Sequence, residues 1–60
     1  MKIGDKIKIS SVNYMSKDEQ KKLRDLNFVV TIDDLDIINN RIYGFYSKEI
    51  PGYLFTMEQI

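Results

Sequence analysis

Three groups of side chains in this chain have chemistry to offer. They are the aspartates at 33, 34 and 36, a row of lysines near the N-terminus, and a set of tyrosines concentrated in residues 41–60. The aspartates are the first place to look for a cation. Their spacing is not that of a calcium-binding loop: no glycine stands at the sixth loop position, and no glutamate closes a twelve-residue loop. Acidic residues at a turn are ordinary turn chemistry, so no metal site is expected. The chain has no histidine and no cysteine. That removes the commonest zinc ligands, the commonest general base and the most reactive nucleophile. Its three glycines are scattered rather than gathered into a phosphate-binding loop. No cofactor is implied, and the expectation is a protein that binds rather than catalyses.

The lysines alternate with isoleucines. In KIGDKIKI, residues 2–9, Lys2, Lys6 and Lys8 share one parity, and Ile3, Ile7 and Ile9 the other. Such alternation describes a strand with one buried and one solvated face. The lysine row suits phosphate binding, and it equally protects an edge strand against pairing with other chains. Net charge is zero, with nine basic and nine acidic residues, but the halves differ: residues 1–26 carry +3 and residues 27–60 carry −3. A general nucleic-acid binder would be clearly basic throughout.

The tyrosines are the strongest functional signal. Tyr14, Tyr43, Phe45, Tyr46, Tyr53 and Phe55 are too many to be internal in so small a fold. On the stretch 41–46, Tyr43 and Phe45 point one way, Ile42 and Tyr46 the other. Exposed tyrosines favour protein interfaces, since a rigid ring adds contact area at small entropic cost. The expected partner-binding residues are Tyr43, Tyr46, Tyr53 and Lys48. The alternative, a nucleic-acid surface, uses Lys2, Lys6 and Lys8.

The elements that must position these groups follow from pattern. Sixty residues suffice for a single domain, 1–60, that buries only about 60% of its unfolded surface. A first strand is expected over Asp5–Ser10. Ser16 and Glu19 have capping-box spacing, and Asn27 can adopt the left-handed conformation that ends a helix, so a helix is expected over Lys17–Leu26. Strands are expected over 28–32 and 35–38, separated by a turn at Asp33-Asp34. Asn39-Asn40 makes a two-residue hairpin loop, and the return strand 41–46 carries Gly44, a signal for a bulge or sharp bend. Pro51-Gly52 reads as a type II turn, followed by a short strand 53–55 and one closing helical turn from Thr56. The expected core is Ile7, Ile9, Leu23, Leu26, Phe28, Val30, Ile32, Ile37, Ile42, Leu54 and Phe55.

Two segments together resemble a known family. The opening IGDKIKI (3–9) and the closing IYGFY (42–46) with PGYLFTMEQI (51–60) are similar to small bacterial or phage SH3-like, KOW-like β-barrel proteins. The resemblance implies a mainly β fold with one short helix, a five-stranded barrel with the helix between strands 1 and 2. It implies binding of proteins, nucleic acid or cell-wall material. The chain lacks the ALYDY-type motif and the groove tryptophan of signalling SH3 domains, which argues against proline-peptide recognition. The Lys-, Asn- and Ile-rich usage resembles that of an AT-rich Gram-positive bacterium or its phage. The functional expectation is a cytoplasmic, non-enzymatic protein-binding module: an adaptor or inhibitor, including the anti-defence kind that phages encode. A homo-oligomer is a further expectation. No apolar run approaches the roughly 20 residues of a membrane span, so no membrane partner is expected.

Overall fold

The computed structural model describes residues 1–60. Its elements are β1 (Lys6–Lys8), α1 (Lys17–Asp25), β2 (Val29–Ile38), β3 (Arg41–Ser47), β4 (Leu54–Thr56) and a terminal 3₁₀ turn (Met57–Gln59). The strands form one antiparallel sheet in the order β1-β2-β3-β4. No helix is long and apolar enough to cross a membrane.

The SH3-like, KOW-like five-stranded barrel is not what forms. The sheet has four strands and is open. Two findings overturn the barrel. First, Asp33-Asp34 is not a turn: β2 runs through it without a break, and what looked like two strands is one of ten residues. The register explains how. Ile32 pairs with Ser47 and Asp34 with Tyr46, so Asp33 is an extra residue on β2, a bulge that bends the strand without ending it. Second, β1 and β4 occupy opposite ends of the sheet order and share no ladder. The connection after β1 meets the terminal turn through single backbone bonds only, from the Ser10 and Ser11 N–H groups to the Gln59 carbonyl at 2.6 and 3.2 Å.

The helix forms as its caps dictate. The Ser16 hydroxyl accepts from the Glu19 N–H at 3.2 Å, and the Glu19 carboxylate accepts from the Ser16 N–H at 3.0 Å. At the other end Asn27 (φ 55°) and Phe28 (φ 63°) are both left-handed. The Phe28 N–H reaches the Leu23 carbonyl at 2.9 Å and the Asn27 N–H the Arg24 carbonyl at 3.0 Å, the bonding of a Schellman motif. Leu23, fully buried, is the helix's anchor in the core. Asn39 and Asn40 both take positive φ, 51° and 65°, which a two-residue hairpin turn requires.

The core comprises Ile9, Met15, Leu23, Val30, Ile32, Phe45, Ile50 and Phe55. Phe45 and Phe55 stack at 5.2 Å, and Tyr53 meets Phe55 edge-on at 4.8 Å. Several expectations change here. Ile37 is 55% exposed, while Ile42 and Leu54 are only half-buried. Phe45, Met15 and Ile50 are buried in their place. The reason is the length of the β2–β3 hairpin. Its far end, from Ile37 to Ile42, projects beyond the helix and the short outer strands, so apolar residues there find no covering layer.

Candidate functional site: an aromatic cleft

A cleft of ≈ 390 Å³ is lined by Tyr14, Ile42, Tyr43, Thr56, Met57 and Glu58. Three parts of the chain converge on it: the connection before α1, the start of β3, and the terminal turn.

Tyr14 comes from a turn closed by the Met15 N–H on the Val12 carbonyl at 3.2 Å. It is the third residue of that turn and has φ 71°. A type II turn places glycine or asparagine at this position, because a β-carbon is strained there. A tyrosine occupies it instead and is 92% exposed. Its neighbour Met15 is buried, so the turn is anchored while its ring stands in solvent.

Tyr43 is also the product of an irregularity. Gly44 pairs with Asp36 and Ile42 with Ile37, which leaves Tyr43 as the extra residue on β3. A bulge re-aims a side chain relative to plain alternation. Tyr43 has the parity of Phe45, yet Phe45 is fully buried and Tyr43 is 53% exposed. Gly44 has a second task. A β-carbon at this position would collide with the backbone oxygen of Phe55, so β4 approaches β3 as closely as a glycine allows. That brings Thr56, Met57 and Glu58 alongside Ile42 and Tyr43.

Gln59 holds the walls together. It is 3% exposed. Its side-chain oxygen accepts from the Thr56 N–H (3.1 Å), the Tyr53 hydroxyl (3.3 Å) and, at 3.5 Å, the Thr56 hydroxyl. Its side-chain nitrogen donates to the Ser11 carbonyl at 3.2 Å, and its own carbonyl accepts from the Ser10 hydroxyl at 3.2 Å. One glutamine thus joins the segment carrying Tyr14 to the turn carrying Met57 and Glu58. Spacing from Thr56 indicated a capping glutamine, but nothing in the sequence announced bonds to residues 48 and 49 positions away.

Of the residues expected from sequence to bind a partner, Tyr43 alone lines the cleft. Tyr46, at 36% exposure, and Lys48 lie outside it. Tyr53 is half-buried against Phe55 with its hydroxyl on Gln59. Lys2, Lys6 and Lys8 are exposed, on and before the edge strand β1. Lys6 lies close enough to Glu49 for its charge to act on that carboxylate. In sequence Tyr14 is one aromatic among several, and its position in the Val12-Asn13-Tyr14-Met15 turn is the signal that sets it apart. The aspartates do not gather: no group of three or more His, Cys, Asp or Glu side chains converges as a metal site would require.

The pKa of Glu49 is displaced. Burial pushes it up, but the N–H and hydroxyl of Thr31, both at 2.8 Å, outweigh burial and hold it below its ordinary value. The Lys6 charge adds in the same direction.

The chain is 41% identical over 59 residues to an argininosuccinate synthase of Carsonella ruddii (strain PV); the match covers 93% of this chain and 15% of that protein. No protein-family model matches, and no solved structure matches. Neither the fold nor these likenesses supports a phage or inhibitor identity.

Proposed function

We propose that this chain is a non-enzymatic protein-binding module, and that its docking surface is the cleft between Tyr14, Tyr43 and Met57. The observation that carries the reading is Tyr14. A bulky residue in left-handed conformation costs roughly 1–2 kcal/mol, and burial offers no compensation at 92% exposure. Strain of this kind is commonly retained where a side chain is needed for recognition. The second tyrosine of the cleft is re-aimed by a bulge, and Ile42 and Met57 complete a largely apolar lining. Clefts of this composition suit interface anchors. The nucleic-acid reading is weaker, because Lys6 acts on Glu49 and only Lys2 and Lys8 remain for phosphates in that row. The likeness to an argininosuccinate synthase covers 15% of that protein and does not carry its synthase activity over to these residues.

The test is affinity purification from the native cell with Tyr14→Asn and Tyr43→Ser beside the unaltered chain and Lys8→Ala. Proteins retained by the unaltered chain and by Lys8→Ala, but lost from both tyrosine variants, are expected; direct binding of the purified candidate then follows. Retention of every partner by both tyrosine variants would refute the reading.

A further inference from the structure

From the composition of the cleft we infer the chemistry of its occupant: a cationic side chain, Lys or Arg, presented by a basic segment of the partner. This inference rests on the docking reading and narrows it. The cleft combines two tyrosines, two flexible or branched apolar residues and one carboxylate, Glu58. A lysine or arginine has a matching division, an apolar stem and a charged head. The stem lies on Ile42 and Met57. The head gains from the tyrosine rings through cation–π attraction and from the Glu58 carboxylate through a charge-assisted hydrogen bond.

The charge of the lining favours the same sign. Five of the six lining residues come from residues 27–60, which hold five acidic side chains and two basic ones, and Tyr14 comes from the half that carries +3. Glu58 is the one charged residue in the lining. Of the two basic residues, Lys48 lies outside the cleft, and Arg41 alternates with Ile42 and so leaves from the opposite face of the strand. No cation of the chain lines the cleft. An anionic occupant would be repelled by Glu58, and a purely apolar one would gain nothing from it. A second copy meeting this cleft through its own cleft would set Glu58 against Glu58.

The experiment is a heteronuclear NMR titration of the full chain with three blocked amino acids: N-acetyl-arginine methylamide, N-acetyl-norleucine methylamide and N-acetyl-glutamate methylamide. The arginine probe is expected to shift the amides of Tyr14, Tyr43, Met57 and Glu58 selectively, and to bind about two- to fivefold more tightly than norleucine. Glutamate is expected to bind least. Glu58→Gln, an exposed and structurally mild change, is expected to erase most of the preference for arginine over norleucine. Equal binding of norleucine and arginine would overturn the cationic occupant while leaving an apolar docking cleft. Shifts scattered over the acidic surface, or no shifts with any probe, would overturn it as well. A partner that is lost from the tyrosine variants yet binds Glu58→Gln undiminished would do so too, with the docking reading intact.

Discussion

Glu49 accepts from both the N–H and the hydroxyl of Thr31, and its chemistry is legible as a dependence on pH. Because the folded pKa lies below the ordinary value of 4.5, the contribution to stability is fully present above about pH 4.5. It is lost as pH falls through the lower folded value. Glu49→Ala is therefore expected to lower stability by about 1–3 kcal/mol at neutral pH, with the difference from the unaltered chain shrinking in acid; urea unfolding across the pH range measures both. Gly44 makes a second test at this scale. Alanine there would press on the Phe55 backbone oxygen, which belongs to a strand and cannot simply rotate aside. Gly44→Ala is expected to cost about 1–3 kcal/mol, with the loss of order concentrated in the β3–β4 ladder, as amide exchange would reveal. The need for a glycine at 44 was visible in the sequence as a glycine within a strand pattern. The residue it makes room for was not, since Phe55 lies eleven positions on and meets it only through strand pairing.

Among the elements, the terminal turn forms where the Thr56–Gln59 spacing places it, and the β2–β3 hairpin departs most from what local pattern suggests. Met57–Gln59 is a short 3₁₀ turn, which has little stability of its own. Its order comes from the Gln59 bonds to Ser10, Ser11, Tyr53 and Thr56. Gln59→Ala removes the side-chain acceptor from Thr56 and Tyr53 and the donor from Ser11. It is expected to cost about 2–3 kcal/mol by leaving buried polar groups unpaired, and to disorder Tyr14 and Met57 together; thermal unfolding and the NMR spectra of both residues check it. Gln59→Glu restores an acceptor but not the donor to Ser11, so it is expected to recover only part of the loss. The hairpin behaves differently along its length. Val30 and Ile32 are fully buried, while Ile37 and Ile38 are 55% and 48% exposed. Amides of residues 37–42 are therefore expected to exchange faster than those of 30–32, within one continuous strand pair. Exchange at equal rates along β2 would contradict the picture of an uncovered hairpin end.

At the scale of the whole molecule, the extents of 33 × 22 × 18 Å describe an elongated body. The cleft lies where separate parts of the chain meet, and Glu58 is the one charged residue of its lining. Local chemistry was readable without coordinates. Ser16 and Glu19 capped the helix, Asn27 ended it, Asn39-Asn40 turned the hairpin, and alternation located β1 and β3, because each depends on contacts within a few residues. Closure was not readable. Asp33-Asp34 has turn composition, yet a bulge carries β2 through it, since pairing with β3 on both sides outweighs local preference. With β2 unbroken, the strand count falls to four and the edges remain apart. The same limit applied to the site: sequence alone identified an aromatic-rich second half and Tyr43 within it. Only the tertiary structure brought Tyr14 across from the other half. The placement of Tyr14 depends on long-range bonds between its segment and Gln59, and that of Tyr43 on a bulge whose position is set by strand register; neither is encoded in the spacing of neighbouring residues.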